Sequence, residues 1–300
     1  MNLQEYYKSR KEMVDKAVKE FLEREELLDV SPTPLGGKRL RGVLAILVCE
    51  ALGGKPEDAL DGAIAVELAH AASLDADDIV DLDVIRRGKP STWVLKGIVK
   101  TVVGTHALVS VALNIVRRYG VEAVEIFVDT YTRMVRGEIR DVIRGGFYEA
   151  IVGAKTASLW SAAGGLGALV AKRKEYLGLA KNYGYAVGMS FQIADDIVDV
   201  SKLIEQGKVL EVLRNPSAMA FIAYVGVESM LKLPPFEVIR RGLGYLEEQM
   251  KIMAMEKLNQ WVKTAESYAS QFPESPFKQL LVEYPTFAVD MMFEEAGWKK

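Results

Sequence analysis

The five residues Asp77-Asp78-Ile79-Val80-Asp81 recur, letter for letter, as Asp195-Asp196-Ile197-Val198-Asp199. In a helix, the first and last aspartates of each run lie four apart and stack on one face, a turn from each other. That placement is poor for an isolated helix. Like charges at this spacing repel, aspartate is a weak helix former, and each run falls near the C-terminal end of an expected helix, where the macrodipole disfavours negative charge. Made twice, the arrangement calls for a cation. Carboxylates are hard oxygen ligands, and Mg²⁺ is held by one or two of them together with water and substrate phosphates. The plainer alternative is a pair of solvated acidic helix ends, and one such run alone would not decide between the two.

Basic residues give the cation a purpose. Gly36-Gly37-Lys38-Arg39-Leu40-Arg41 opens a helix after a Pro-rich loop and presents Lys38, Arg41 and free backbone N–H groups together, the makings of an anion site. Arg86 and Arg87, followed by Gly-Lys-Pro, form a loop able to fold back over the first acidic helix end. Lys155 and Thr156 begin another helix, and Gly207-Lys208 follow the second aspartate run. Any one of these cations is by itself an ordinary surface residue; together with the carboxylates they describe a pocket for polyanions bridged by Mg²⁺, such as diphosphates.

The elements that must carry these residues are helices. Apolar positions recur at i, i+3, i+4, i+7 through residues 3–28, and helical runs follow near 39–53, 57–82, 93–119, 121–145, 154–171, 175–201, 216–232, 236–269 and 275–295. No sustained alternation argues for a sheet. The segment Ser158–Ala171 carries small residues and almost no charge, as a helix buried on all sides does. The expectation is one all-α domain over residues 1–300, a bundle of ten or more helices around a deep central cavity, with its sites on facing helices.

Half of the 300 residues are hydrophobic and 26% are charged, enough for a sizeable core, and the net charge of −3 argues against nucleic acid as a partner. The single cysteine, Cys49, excludes an intramolecular disulfide and fits a reducing, cytoplasmic setting. The N-terminus lacks the apolar core of a secretion signal. The longest apolar stretches, such as Gly42–Ala51 and Ala107–Val116, fall short of the roughly 20 residues of a membrane span, so none is expected.

With these residues in view, the chain resembles the trans-isoprenyl diphosphate synthase family, which includes farnesyl and geranylgeranyl diphosphate synthases. The matching stretches are GGKRLR (36–41), ELAHAASLDADDIVDLDVIRRGKP (67–90), GEIRD (137–141), KTASLW (155–160), GMSFQIADDIVD (188–199), GK (207–208) and a tail, FPESPFKQLL (272–281). The resemblance implies the type I isoprenoid synthase fold and a Mg²⁺-dependent condensation of isopentenyl diphosphate with an allylic diphosphate. It implies three Mg²⁺ ions per active site with substrate bound, and a homodimer. Asp77, Asp81 and Asp195 would ligate Mg²⁺, with Asp78, Asp196 and Asp199 as outer or water-mediated partners. Arg86, Lys155 and Lys208 would hold the allylic diphosphate, while Lys38, Arg41, His70 and Arg87 would bind isopentenyl diphosphate. Thr156 and Gln192 would stabilise the developing allylic cation and orient the substrate.

Four places depart from the family pattern. Ala76 replaces a frequent histidine, with an unusual Asp75 beside it; Thr105-His106 stands where Gly-Asp and an apolar residue are common; Gly207-Lys208 lies one residue nearer the second aspartate run; and a further downstream lysine is missing, with Arg214 where it could substitute. Two other functions share the scaffold. A non-catalytic partner subunit typically loses an aspartate cluster, whereas all six aspartates are present. A terpene cyclase or head-to-head enzyme typically lacks the isopentenyl diphosphate set, whereas Lys38, Arg41, His70 and Arg87 are all here. In the synthase family a bulky aromatic five residues before the first aspartate run, or at the adjacent position, forms the tunnel floor that stops chain growth; here those positions are the small Ala72 and Ser73. A product of C20 or longer is therefore expected.

Overall fold

The computed structural model describes residues 2–144, 146–226 and 235–298. Among the described residues there are thirteen α-helices. They are α1 (Leu3–Arg24), α2 (Leu40–Ala51), α3 (Pro56–Val80), α4 (Thr92–Lys96), α5 (Ile98–Val116), α6 (Val121–Ile139) and α7 (Tyr148–Val152). The rest are α8 (Ser158–Val170), α9 (Leu177–Glu205), α10 (Val209–Arg214), α11 (Pro216–Val225), α12 (Pro235–Ala269) and α13 (Lys278–Glu295). The all-α class holds, with one addition: strands β1 (Ile85–Arg86) and β2 (Lys89–Pro90) pair antiparallel in the loop after the first aspartate run. Its two central residues, Arg87 (φ 51°) and Gly88 (φ 72°), are both left-handed, as a two-residue hairpin turn of the primed kind requires.

Two compact units make up the chain. The first comprises Met1–Tyr131, Ala162–Lys181 and Phe272–Leu281; the second comprises Thr132–Ser161, Asn182–Gln271 and Val282–Lys300.

In the first unit α3 packs against α2 and α5. Pro56 at its first turn, with Glu57 and Asp58 beside it, starts the helix where a missing N–H and negative charge cost nothing. From Gly62 to Ala72 nearly every residue is buried, and the run is rich in alanine, so neighbouring helices approach closely. Glu67, the one acid in that stretch, is 5% exposed and accepts hydrogen bonds from the Gly42 N–H (2.9 Å) and the Arg39 guanidinium (3.2 Å). On the other side of α2, Glu50 takes bonds from the Tyr6 hydroxyl (2.6 Å) and from Arg10 (2.6 and 2.9 Å), which fixes α1.

In the second unit the apolar face of α9, with Ile193, Ala194, Ile197 and Val198, lies in a core with Val212, Phe221, Met250 and Leu258. Gly188 makes the close approach of α9 to the preceding segment possible: a Cβ there would stand 2.8 Å from the Ala157 Cα. The buried segment read at 158–171 is α8, whose residues are buried almost throughout.

Several boundaries differ from the sequence reading. The run 93–119 is broken at Gly97 (φ 84°, ψ 153°). Helix α6 passes into a π-helical turn at Arg140–Arg144, and the run expected from 154 begins as another at Gly153–Ala157. The short α7 was not anticipated. The expected continuation of 216–225 to 232 lies outside the described residues. Helix α9 runs to Glu205, more than a turn past Asp199, so only the first aspartate run sits at a helix end, with Asp81 as the C-cap. The helical stretch Ile98–Tyr119, 22 residues, is long and apolar enough to cross a membrane, which the shorter Ala107–Val116 understated. Its faces nevertheless differ: Thr101, Gly104, Leu108 and Ala112 are buried, while Lys100, His106, Ser110 and Asn114 are exposed.

Candidate functional site

In the first unit, basic residues converge on His70. The imidazole is held neutral, its pKa driven well below the ordinary histidine range by burial first, then by the charges of Arg41, Arg87, Arg86 and Arg39. A group surrounded by so much positive potential is an anion site in waiting. The backbone is shaped for it. Gly36 (φ 85°), Gly37 (φ 89°) and Arg39 (φ 56°) turn the chain into α2, and the Tyr7 hydroxyl donates to the Lys38 carbonyl at 2.6 Å. Arg87 lies directly against this loop: a Cβ on Gly37 would stand 2.9 Å from the Arg87 Nη2. The hairpin thus delivers Arg87 to the loop that carries Lys38 and leads to Arg41 in the first turn of α2.

Arg39 has a different task from its neighbours. It is 4% exposed, and its guanidinium donates to Asp15 (2.7 Å), to Glu67 (3.2 Å) and to the Pro34 carbonyl. It anchors the loop rather than lining it. Nothing in the local sequence separates it from Lys38 and Arg41; only its distant partners do.

At the end of α3, Asp77 is partly buried and Asp81 exposed, while Asp78 is 1% exposed. The hairpin does fold back as expected, for the Arg86 Nε donates to the Asp78 Oδ1 at 2.6 Å, and Arg86 also approaches Asp83 at 3.7 Å. The other oxygen of Asp78, Oδ2, is buried without a hydrogen-bond partner. Tyr131 of α6 lies within electrostatic reach of Asp77, which with burial raises its hydroxyl's pKa.

In the second unit, a cleft of about 100 Å³ is lined by Asp141, Tyr148, Lys155, Thr156, Gln192 and Asp196, with Ile151, Val152, Ser217 and Ala220. The two π-helical turns supply Asp141 and the Lys155-Thr156 pair, and such turns are frequent at functional sites. The Lys155 Nζ bridges Glu138 (2.7 Å) and Asp141 (3.1 Å). The Thr156 hydroxyl donates to the Gln192 Oε1 (2.9 Å), and the Gln192 amide donates to Asp195 (3.2 Å) and Asp196 (3.1 Å). The Tyr148 hydroxyl donates to the other oxygen of Asp196. Burial, with the neighbouring charges of Asp195 and Asp199, pushes the Asp196 carboxyl up to about 8 against the pull of Tyr148 and Gln192. Asp199 is exposed, as is Lys208, which pairs with Glu211 at 3.5 Å; Arg214 ends α10 on the surface.

Sequence reasoning missed Tyr148 and gave no role to Asp141 or Glu138, although GEIRD was among the matched stretches. Their partners Asp196 and Lys155 lie 48 and 14 or more residues on. Among the described residues, no group of three or more Asp, Glu, His or Cys side chains stands close enough to hold a metal on its own.

The pattern of the polyprenyl synthetase family matches residues 25–211. The hexaprenyl pyrophosphate synthase of Saccharolobus solfataricus is 34% identical over 212 residues, covering 69% of this chain and 75% of that protein. The geranylgeranyl diphosphate synthase of Methanosarcina mazei is 34% identical over 271 residues, covering 83% of this chain and 82% of the other. Among solved structures, the geranylgeranyl pyrophosphate synthetase of the archaeon Geoglobus acetivorans superposes with a TM-score of 0.79 at 27% identity, covering 95% of this chain and 99% of that one.

Proposed function

The chain belongs to the polyprenyl synthetase family, and from that premise we propose a chain-elongating trans-prenyltransferase that joins isopentenyl diphosphate to an allylic diphosphate and releases a product of C20 or longer. The observation that carries this reading is the basic set around His70. A terpene cyclase on the same scaffold has no second diphosphate to hold, whereas Arg41 and Arg87 together bias His70 and Arg87 is pressed against the Gly37 loop.

In this reading Lys38, Arg41, His70 and Arg87 hold isopentenyl diphosphate. His70, neutral, serves as an anion ligand through its N–H and not as a general base. Arg86, Lys155 and Lys208 hold the allylic diphosphate. Arg86 pairs with Asp78, and Lys155 with Glu138 and Asp141. Asp77, Asp78, Asp81, Asp195, Asp196 and Asp199 are the magnesium carboxylates, with three ions as the count the family implies. The donor set is all hard oxygen, the Asp78 Oδ2 is buried without a hydrogen-bond partner, and burial with the like charges of Asp195 and Asp199 pushes the Asp196 carboxyl up. Magnesium, when bound, adds positive charge at the diphosphate oxygens.

The allylic C–O bond breaks and its electron pair leaves with diphosphate, whose charge the cationic side chains take up. The double bond of isopentenyl diphosphate, held in place by the His70 set, attacks the allylic cation. A proton is then lost to the departed diphosphate. In this reading Thr156 and Gln192 stabilise the developing cation and orient the substrate, and apolar walls keep water from it.

Residues 1–300 act as one isoprenoid synthase domain, soluble and cytoplasmic, without nucleic acid and without a membrane span. The chain works as a homodimer. Val121, Val128, Val135 and Val142 recur at seven-residue spacing and are all exposed, as are Val99 and Val103 of α5. A seven-residue apolar repeat is what one helix offers another, which favours a second copy over lipid as its cover.

The discriminating experiment supplies purified protein and Mg²⁺ with an allylic diphosphate alone, and then with isopentenyl diphosphate added. A synthase consumes the allylic substrate productively only with both. A cyclase turns over the allylic substrate by itself, and a non-catalytic subunit consumes neither.

A further inference from the structure

Asp75, two residues before the first aspartate run, is fully buried, and its hydrogen bonds are made away from that run. Two residues along a helix turn a side chain by about 200°, so Asp75 and Asp77 point to opposite sides of α3. Its partners are hydroxyls. The Ser31 Oγ donates to the Asp75 Oδ2 at 2.6 Å, the Thr33 hydroxyl donates to the Oδ1, and the Thr33 and Thr92 hydroxyls are themselves bonded at 2.7 Å. Ser31 and Thr92 are, like Asp75, almost wholly buried. A buried carboxylate is a costly way to fill space. What this one does is join three segments: α3, the loop that runs from Ser31 into Gly37 and Lys38, and the chain that leaves the hairpin at Pro90 and enters α4 at Thr92.

Those two loops are the ones that meet where Arg87 lies against Gly37. Other bonds hold each loop separately: Tyr7 and Arg39 tie the first to α1 and α3, the Leu35 N–H donates to the Pro32 carbonyl (2.9 Å), and the Ser91 hydroxyl and the Trp93 indole donate to the Asp83 carbonyl (2.6 and 2.8 Å). These shape each loop but do not join one to the other. We propose that Asp75 is a positioning residue for the isopentenyl diphosphate site, the buried acceptor that sets the Lys38–Arg41 loop and the Arg87 hairpin at their working separation. The inference rests on the reading of that basic set as the isopentenyl diphosphate site.

The test is steady-state kinetics with each substrate varied at saturation of the other, alongside thermal melting, for Asp75→Leu, Asp75→Asn, Thr33→Val and Arg41→Ala. Asp75→Leu keeps the bulk and leaves the hydroxyls unanswered. It should raise KM for isopentenyl diphosphate about tenfold or more while the KM for the allylic primer stays within about threefold of the parent. Asp75→Asn, which can still accept and donate to hydroxyls, should recover most of that. Thr33→Val, which cuts the link to Thr92 with the carboxylate in place, should move the same KM in the same direction, and it decides the matter if Asp75→Leu does not fold. A lowered melting temperature with both KM values unchanged, or both raised alike, overturns the proposal and leaves Asp75 a structural residue. Arg41→Ala separates this failure from a deeper one. If Arg41→Ala raises KM for isopentenyl diphosphate selectively and Asp75→Leu does not, only the positioning role is wrong; if Arg41→Ala is not selective either, the site itself has been misread.

Discussion

Arg87 offers an unusually clean separation of stability from function, because its backbone is strained and its side chain is exposed. At φ 51° it occupies the left-handed region at the tip of the hairpin, beside Gly88. A non-glycine residue there costs about 1–2 kcal/mol. Replacing it with glycine removes that strain and gives back about 0.4–1 kcal/mol through the freer unfolded chain. Arg87→Gly should therefore fold with a stability within about 1 kcal/mol of the parent. The same change removes one charge-assisted contact to the bound diphosphate, a loss of about 1.5–3 kcal/mol, or ten- to a hundredfold in kcat/KM for isopentenyl diphosphate. Arg87→Ala should lose the same activity and retain the strain. The assay is initial rate against isopentenyl diphosphate at saturating primer, paired with thermal melting. His70 supplies a second readout. It is one of only two histidines, and its pKa is held down in part by Arg87, so its imidazole resonance should titrate at higher pH in Arg87→Gly. A variant that melts like the parent and keeps its KM for isopentenyl diphosphate would refute the assignment of Arg87 to the anion site.

Four further outcomes follow from the same geometry. Asp77→Ala or Asp195→Ala should cut turnover by several orders of magnitude at saturating Mg²⁺ while circular dichroism and melting stay close to the parent, since each relieves like-charge repulsion; near-native activity in either would remove the paired-cluster mechanism. Arg41→Ala should raise KM for isopentenyl diphosphate and Lys208→Ala that for the allylic primer, each about ten- to a hundredfold, and equal effects on both substrates would rule out separate sites. Arg39→Ala breaks a buried ion pair with Glu67 and should cost about 3–5 kcal/mol in chemical denaturation, partly restored by adding Glu67→Gln; a loss below about 1 kcal/mol would mean that Arg39 does not anchor the loop. Ala72 is fully buried about 7 Å along α3 from Asp77, and Ala72→Phe should shorten the product; an unchanged product length would place the floor of the tunnel elsewhere.

The features that the sequence revealed are those written in local periodicity and local chemistry. The helical run expected near 57–82 is α3, Pro56–Val80, and both aspartate runs announce themselves by repetition. The glycines before Lys38 and the Arg-Gly pair at 87–88 mark turns that the structure contains. What was not legible depends on partners far along the chain. Arg39 looks like Lys38 and Arg41 until Asp15 and Glu67 are seen to enclose it. Asp75 reads as a mere departure until Ser31 and Thr33, more than forty residues earlier, supply its hydrogen bonds. Tyr148 sits in a five-residue helix, too short for a periodic signal, and its meaning lies in Asp196. The π-helical turns under Asp141 and Lys155 have no pattern of their own and read as plain helix. The second acidic run reads as a helix terminus, whereas α9 continues to Glu205.

The reaction proposed for this chain is the lengthening of an allylic diphosphate by five-carbon units under magnesium. It is tested most directly by incubating the purified protein with labelled isopentenyl diphosphate and allylic primers of graded length, with Mg²⁺ and with the metal chelated, and resolving the products by chain length. The account predicts label in prenyl diphosphates of C20 or longer, only when Mg²⁺ is present. Absence of any elongated product with every primer would contradict the claim, and a product that stops at C15 with isopentenyl diphosphate in excess would contradict its chain length.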